Sequence, residues 1–236
     1  MRRYRIKTLK IDGIDIGGRE DETLLDLARQ NGIDIPTLCH VEGLSANGGC
    51  RMCLVEIKGS DRLLPACVTY PEEGMEVYTQ TEQLVQYRKM ILDLFFSERN
   101  HVCAVCVSNG HCDLQGMAAR MGNTNVGVPY LTPEMSIDAS HPYFLMDHNR
   151  CILCTRCVRV CREIEGAQTK GITGRGIESR IIYDLNVEWG DSMTCTSCGK
   201  CVQVCPTGAL VAKGRSVAEM TKRREFLPYL QMMRDE

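Results

Sequence analysis

The first 80 residues combine a segment of alternating side chains with an amphipathic segment. Residues 4–8 alternate between uncharged and basic side chains, and the run from Ile11 to Ile16 turns through Asp12-Gly13, which together predict a β-hairpin. The apolar pattern that follows predicts a helix whose cap is Asp21 or Thr23. Two strands, one helix and then a cysteine-containing loop indicate a small sheet packed on a helix, the β-grasp arrangement.

Between residues 79 and 140 the apolar pattern becomes helical. Thr79 and Glu82 have the spacing of a capping box, and a second short helix is predicted from Asp113 to Met121. Behind the first cap, apolar side chains recur on one helical face, which we expect to pack inside the protein. They are Leu84, Tyr87, Ile91, Leu94 and Phe95. The stretch 122–142 is rich in Gly, Pro, Asn and Ser, which is typical of a linker.

An internal repeat occupies residues 141 to about 215. The segments Cys151-Ile-Leu-Cys154-Thr-Arg-Cys157 and Cys195-Thr-Ser-Cys198-Gly-Lys-Cys201 match at an offset of 44 residues, and a strand is predicted between them at residues 181–185. Beyond the repeat, Ser216 begins a Ser-x-x-Glu cap. The tail is therefore predicted to contain a helix, which either docks a partner or packs on the chain itself.

Composition narrows the classes of protein that fit these patterns. The formal net charge of the 236 residues is −2, so no basic field indicates nucleic acid or a membrane surface as a partner. No stretch approaches the roughly 18 apolar residues of a membrane span, and the charged N-terminus has no apolar segment of a secretory signal. We therefore expect a cytoplasmic protein, in which 15 cysteines favour metal or iron–sulfur sites over disulfides.

The most specific signal is the cysteine spacing of the repeat. Both halves read C-x2-C-x2-C-x3-C, a run in which three cysteines bind one cubane cluster and the fourth reaches the other. This predicts two [4Fe–4S] sites with crossed ligand sets. They are Cys151, Cys154, Cys157 and Cys205 for one site, and Cys161, Cys195, Cys198 and Cys201 for the other. Zinc is the alternative, but zinc motifs usually arrive as two separated pairs.

Four cysteines of the N-terminal part form a third group. They are Cys39, Cys50, Cys53 and Cys67, spaced C-x10-C-x2-C-x13-C. Plant-type [2Fe–2S] sites share the central C-x2-C pair and a remote fourth cysteine, although their first gap is shorter. Gly48 and Gly49 allow the backbone to approach the sulfur atoms. The position after a β-grasp start favours a [2Fe–2S] cluster over a zinc knuckle.

The remaining group, Cys103, Cys106 and Cys112, supplies one ligand too few for a cubane. His101 lies two residues before the first of these cysteines and is predicted as the fourth ligand of a third [4Fe–4S] cluster. His111 is the competing histidine, and Asp113 or water is the alternative ligand. With this assignment all 15 cysteines and one histidine make four sets of four ligands.

These assignments predict an α+β protein with three cofactor-binding domains. A β-grasp [2Fe–2S] ferredoxin domain is expected at residues 1–78, and a small helical His/Cys [4Fe–4S] domain with its linker at residues 79–140. A bacterial-type 2[4Fe–4S] ferredoxin domain is expected at residues 141–215, followed by a tail at 216–236. We expect one [2Fe–2S] cluster, three [4Fe–4S] clusters and no zinc.

Several of these motifs resemble those of a known family. Cys39-His40 and Gly49-Cys50-Arg51-Met52-Cys53-Leu54-Val55-Glu56 resemble the N-terminal part of the large iron–sulfur subunit of respiratory complex I. Cys106 to Cys112 with the following Asp113-Leu114-Gln115 resembles its histidine-ligated cluster motif, and the Cys151–Cys157 run is similar to its next motif. The chain departs from the family at Arg99, where the cluster histidine usually stands, and at Arg162, where a proline usually follows the cysteine.

Without a molybdopterin-type or hydrogen-cluster domain, the sequence is similar to the small diaphorase subunit of the bidirectional NAD-reducing nickel–iron hydrogenase. The resemblance implies a relay that passes electrons between a flavin/NAD(H) diaphorase subunit and the nickel–iron hydrogenase small subunit, with a further ferredoxin-like subunit as another partner. Alternatives are the same relay in a formate dehydrogenase or a complex I-like NADH dehydrogenase, or a free polyferredoxin. No Ser–His–Asp set, P-loop or flavin signature occurs, so we expect an oxidoreductase subunit with no substrate site of its own.

Overall fold

The computed structural model describes residues 4–215, 219 and 221–234, so the predicted cap at Ser216 lies outside the described residues. The chain forms two compact units. The first contains the residues up to 40 together with 46–91, and the second contains residues 41–45 together with 92–236.

The first unit is a five-stranded mixed sheet that packs on one helix. Its strands are β1 (Ile6–Ile11), β2 (Ile14–Arg19), β3 (Leu54–Ile57), β4 (Leu64–Pro65) and β5 (Glu76–Tyr78), and its helix α1 is Leu24–Gln30. The strand order is β2-β1-β5-β3-β4. Strands β1 and β5 are parallel, whereas the other neighbouring pairs are antiparallel. This arrangement confirms the predicted β-grasp fold.

Local sequence signals set the hairpin and the first helix. Asp12 has a φ of 49° and Gly13 one of 84°. A two-residue type I′ hairpin turn requires such positive φ values at both of its central residues. Thr23 is the cap of α1, because its hydroxyl accepts from the Asp26 backbone N–H at 3.2 Å while the Asp26 carboxylate accepts from the Thr23 N–H at 3.1 Å. The other predicted cap, Asp21, pairs instead with a neighbouring arginine.

Helix α2 (Glu82–Glu98) is capped by a different residue from the one predicted. The Leu84 N–H donates to the Thr81 hydroxyl at 3.3 Å, so Thr81 is the capping residue. Thr79 does not cap the helix, because its hydroxyl and its backbone N–H both donate to the Asp12 carboxylate, the latter at 2.7 Å. The capping-box prediction for Thr79 and Glu82 was therefore wrong.

The buried face of α2 also differs from the predicted apolar face. Leu84, Arg88 and Leu92 are fully buried, whereas Tyr87 and Leu94 are exposed. The difference arises because a buried arginine replaces an apolar residue in the helical pattern. Its guanidinium donates hydrogen bonds to the main-chain carbonyl groups of Met52 and Leu54, which satisfy its charge inside the protein.

The second unit contains short elements connected by the cysteine loops. Its helices are α3 (Asp113–Arg120), α4 (Arg156–Val160), α5 (Lys200–Val204) and α6 (Phe226–Arg234). Its strands are β6 (Ile137–Asp138), β7 (Phe144–Asp147), β8 (Lys170–Thr173), β9 (Arg180–Tyr183) and β10 (Leu210–Ala212). The order β10-β7-β6 makes one antiparallel sheet and β8-β9 another. The predicted short helix and the strand between the repeats are both present, and β6 interrupts the predicted linker.

A single hydrophobic core holds the second unit together. It packs helices α4 and α5 with the strands that flank them around Trp189 and Tyr183, which stack with their ring planes 8° apart. Leu227 of α6 is fully buried in this core, so the described part of the tail packs on the chain. Among the described residues, no helix is long and apolar enough to cross a membrane.

Replacement of Thr23 by alanine is expected to destabilise α1 locally by about 1 kcal/mol, because both hydrogen bonds of the capping box depend on the threonine at this position. Amide hydrogen exchange of residues 24–30 in the full chain should accelerate by about fivefold if the helix opens independently. The control is Thr37→Ala, whose hydroxyl accepts only an exposed bond from Arg29. Equal exchange rates in the two variants would contradict the capping role.

Candidate metal centres

The four cysteines of the first group are all buried in the β-grasp unit. The Sγ atoms of Cys53 and Cys67 lie 3.4 Å apart, and the Cys39 backbone N–H donates to the Cys50 Sγ at 3.3 Å. The hydrogen bond with the Cys39 thiol, together with burial, raises the pKa of Cys50. The bond with Cys67 and burial likewise raise the pKa of Cys53. A cationic centre between these sulfur atoms would remove the penalty on their thiolates.

Two features fix the backbone of this cysteine loop. Gly48 has a φ of +63° and directs its N–H toward the Cys67 sulfur, while a Cβ at this position would lie 3.2 Å from Val68. The buried Arg88 donates to the Met52 carbonyl at 3.1 Å and to the Leu54 carbonyl at 2.9 Å. The residues on both sides of Cys53 are thus held by one side chain.

A cavity in the second unit is lined by the predicted His/Cys set. Its lining includes His101, Cys103, Cys106 and Cys112. The His101 Nε2 atom is buried and has no hydrogen-bond partner among the described residues. Burial, with the charges of two nearby arginines, lowers the pKa of His101 to about 4, so the imidazole is neutral, the form that binds metals. His111 is exposed and is absent from this lining.

Two further cavities are lined by the crossed ligand sets of the repeat. Cys151, Cys154, Cys157 and Cys205 line one of them. The other is lined by Cys161, Cys195, Cys198 and Cys201. Burial raises the pKa of the Cys151 thiol to about 12 and that of the Cys201 thiol to about 11. The thiols of Cys151 and Cys201 therefore stay protonated until a metal binds them.

The two cysteine loops of the repeat share a backbone conformation. Leu153 and Ser197 have φ values of +51° and +56°, and Thr155 and Gly199 have +62° and +70°. Each pair is 44 positions apart, the offset of the repeat. A β-branched residue such as Thr155 rarely adopts positive φ. The loops are thus held in a strained form that turns successive cysteines toward one cavity, as expected where function requires the geometry.

Hydrogen-bond donors surround the cavity of Cys195. The Trp189 indole N–H donates to the Cys195 Sγ at 3.3 Å. The Nε2 atom of the buried His141 lies 3.9 Å from the same sulfur and 3.1 Å from the Ser197 hydroxyl. Neither Trp189 nor His141 belongs to a cysteine motif, so their contacts with Cys195 could not be predicted from the sequence.

A lysine of the tail lies near Cys205. Lys222 donates to the main-chain carbonyl groups of Val202, Thr207 and Leu210, at distances between 2.9 and 3.3 Å. Burial alone would raise the pKa of the Cys205 thiol, but the charge of Lys222 and nearby backbone N–H groups lower it. The tail residue therefore stabilises the thiolate form of a predicted ligand.

The residues present fit iron–sulfur clusters better than single ions. Among the described residues, no three His, Cys, Asp or Glu side chains converge on a position for one metal ion. The three sets of the second unit are instead distributed around cavities, and they include a buried imidazole nitrogen without a hydrogen-bond partner. Thiolate sulfur is the usual ligand of iron–sulfur clusters, and backbone N–H groups directed at sulfur are typical of their surroundings.

A fold of ferredoxin-like modules with these ligand sets defines the chain as an iron–sulfur protein. Residues 7–82 match the family of 2Fe-2S iron-sulfur cluster binding domains. Residues 88–126 match the iron-sulfur binding region of NADH-ubiquinone oxidoreductase-G. Residues 141–211 match the ferredoxin-like domain of NADH-quinone oxidoreductase subunit 3.

Two matches that extend over most of the chain identify a narrower family. The gamma subunit of the NAD-reducing hydrogenase HoxS from Cupriavidus necator is 31% identical over 219 residues, which cover 92% of both chains. The chain belongs to the family of this iron–sulfur subunit. A chain from the crystal structure of an NAD+-reducing nickel–iron hydrogenase in the H2-reduced state matches with a TM-score of 0.83 and 35% identity, covering 89% of this chain and 88% of that one.

Other relatives share only part of their length with this chain. The alpha subunit of the NADPH-Fe(3+) oxidoreductase from Geobacter sulfurreducens is 39% identical over 206 residues, covering 87% of this chain. The chain spans about a quarter of that relative, 24% of its length.

Replacement of His101 by alanine is expected to remove or convert one cubane, because its buried Nε2 atom lines the cavity of Cys103, Cys106 and Cys112. Iron content and the low-temperature EPR spectrum of the reduced protein would detect the change. The exposed His111 provides the matched control, and His111→Ala should resemble the unaltered chain. The reverse outcome, with a native spectrum for His101→Ala and a lost signal for His111→Ala, would show that the wrong histidine is assigned.

Proposed function

We propose that the chain is an electron-relay subunit that carries one [2Fe–2S] and three [4Fe–4S] clusters. It would connect a flavin/NAD(H) diaphorase subunit with a nickel–iron hydrogenase small subunit, in the cytoplasm. The observation that carries the proposal is the grouping of the ligands. Three predicted sets each line a separate cavity of the second unit, and the fourth set is buried in the β-grasp unit. No cysteine of the sequence is left outside these sets.

The proposal assigns one iron–sulfur cluster to each set of ligands. Cys39, Cys50, Cys53 and Cys67 would hold the [2Fe–2S] cluster, and His101, Cys103, Cys106 and Cys112 a [4Fe–4S] cluster. The crossed sets of the repeat would hold the other two. When bound, such clusters supply reversible one-electron transfer. The residues of the chain bury many of the sulfur ligands, although Cys198 is exposed, and donate hydrogen bonds to several of them. Such interactions tune the reduction potentials of clusters.

The neutral imidazole of His101 is expected to distinguish its cluster from the others. Replacing one thiolate by a neutral ligand removes one negative charge from the cluster, and a less negative cluster accepts an electron more readily. We therefore expect this site to have a higher reduction potential than an all-cysteine site in the same surroundings. Arg150 lies close enough to contribute to the lowered pKa of His101, and its positive charge acts on the cluster in the same direction.

The extent of the similarity favours a hydrogenase partner over the alternatives. The relation to the Cupriavidus gamma subunit covers 92% of both chains, so it is not confined to single cluster modules. Similar segments also occur in the 78 kDa subunit of the mitochondrial NADH-ubiquinone oxidoreductase from Candida albicans and in the putative formate dehydrogenase YrhE from Bacillus subtilis. A complex I-like or formate dehydrogenase complex, or a free polyferredoxin, remains the competing proposal.

The anaerobically purified chain is expected to contain about 14 iron atoms with matching sulfide and no zinc, two irons in one cluster and four in each of the other three. Replacing Cys67 by serine should remove two of these irons, whereas Cys157→Ser should remove four, because the two cysteines belong to clusters of different type. Metal analysis and acid-labile sulfide measure both values. Eight or fewer irons with stoichiometric zinc would contradict the four-cluster assignment.

The isolated chain is expected to oxidise neither NADH nor hydrogen, because its sequence has no flavin, nucleotide or nickel motif. A complex recovered through a tag on this chain should instead contain flavin and nickel subunits and reduce NAD with hydrogen. Dye reduction by the pure chain with NADH, in a preparation free of flavoprotein, would contradict the relay role. Recovery of a formate dehydrogenase, or of free monomer only, would support one of the competing proposals.

A further inference from the structure

Lys170 is a buried cation without a polar partner. It is the first residue of β8, and only 6% of its surface is exposed. Its Nζ atom lies 3.7 Å from the centroid of the Trp189 ring and 4.1 Å from that of Tyr183. Within the described part of the chain, this nitrogen makes no hydrogen bond and no salt bridge with a carboxylate is present.

Such a position is costly for an ammonium group unless negative charge lies nearby. Aromatic ring faces attract a cation, but they replace only part of the solvation that burial removes. Other lysines of this region are satisfied differently. Lys200 lines the same cavity, and its ammonium forms an ion pair with Glu165. Among the described residues no carboxylate pairs with Lys170, so it requires a counter-charge of another kind.

The predicted cluster ligands lie where that counter-charge is needed. Lys170 lines the cavity of Cys161, Cys195, Cys198 and Cys201. The two rings that hold its ammonium, Trp189 and Tyr183, pack in one hydrophobic core with Cys201 of this set and with Cys157 of the other set. The ammonium therefore lies beside ligands of both crossed sets.

We propose that Lys170 is a positioning residue for electron transfer, a fixed positive charge shared by the two cubane sites of the repeat that raises both reduction potentials together. The inference rests on the proposed binding of clusters by these cysteines. Reduction adds one electron to a cluster and makes it more negative, so a nearby cation stabilises the reduced form. Lys170 itself neither gains nor loses an electron or a proton in this step.

The rings of Trp189 and Tyr183 form an aromatic cage around the Lys170 ammonium, which lets a lysine perform this role. Trp189 stacks on Tyr183 with ring centroids 4.9 Å apart, and its indole N–H donates to the Cys195 Sγ. The ring that contacts the ammonium therefore also contacts a cluster ligand. Because one charge acts on both sites, it moves their potentials in the same direction.

The test is an EPR-monitored redox titration of the full chain and of Lys170→Met, each with its iron content measured. The neutral methionine has a similar length and keeps the contact with the rings. We expect the reduction equilibrium constants of both repeat cubanes to fall by about tenfold, which is about 59 mV for a one-electron couple. The [2Fe–2S] cluster and the His101 cluster serve as internal references and should keep their potentials.

Three further variants separate charge from structure. Lys170→Arg retains the charge and should keep both potentials near those of the unaltered chain, whereas Lys170→Gln should behave like Lys170→Met. Lys213→Met removes an exposed lysine that donates to the Ala139 carbonyl, and it should leave all potentials unchanged. If both neutral variants lose the two repeat cubanes while Lys170→Arg keeps them, the requirement for the charge is also supported.

Unchanged potentials in neutral variants that retain all clusters would overturn the proposal. It would equally fail if Lys170→Arg lowered the potentials as much as Lys170→Met, or if only one of the two cubanes responded. A low iron content in the unaltered chain would instead contradict the proposed function, so the two failures are distinguishable.

Discussion

The structure depends on burying cysteine sulfur atoms, which the proposed function assigns as cluster ligands, close to one another. A buried thiolate is unfavourable unless a metal, a cation or a hydrogen-bond donor is close to it. This chain buries many cysteines near one another, and burial raises the pKa values of several of them, Cys151 and Cys201 among them. The surrounding fold is therefore organised to supply positive charge and N–H groups at the sulfur atoms.

The two units meet this requirement in different ways. In the β-grasp unit, Arg88 binds the carbonyl groups that flank Cys53, and the Gly48 N–H points to Cys67. In the second unit, charged side chains lie near the predicted ligands, with Lys222 bound to main-chain carbonyl groups close to Cys205 and Lys170 held by the rings of Trp189 and Tyr183. These contacts place cations beside the buried ligands of the predicted relay, which is how a protein tunes clusters whose chemistry it does not itself supply.

The sequence predicted which cysteines lie together better than it predicted what surrounds them. Cysteine spacing is a local signal, so the β-grasp module and the cysteine groups followed from the pattern, and the cavities of the second unit bring the residues of three groups together. Their assignment as cluster ligands stays a prediction. The choice of Thr81 over Thr79 as the cap and the burial of Arg88 could not be predicted, because Thr79 is bound by Asp12 and Arg88 by Met52, both distant in sequence. Lys170 and His141 were missed for the same reason, since neither belongs to a motif and only the tertiary fold brings them to the cysteines.

Anomalous X-ray diffraction at the iron absorption edge, from crystals grown without oxygen, tests the central claim most directly. The account predicts four separate iron maxima, one at each ligand set, with the maximum among Cys103, Cys106 and Cys112 bonded to the Nε2 atom of His101. Fewer than four iron maxima, a signal at the zinc edge in their place, or iron at Cys112 bonded to His111 would contradict it.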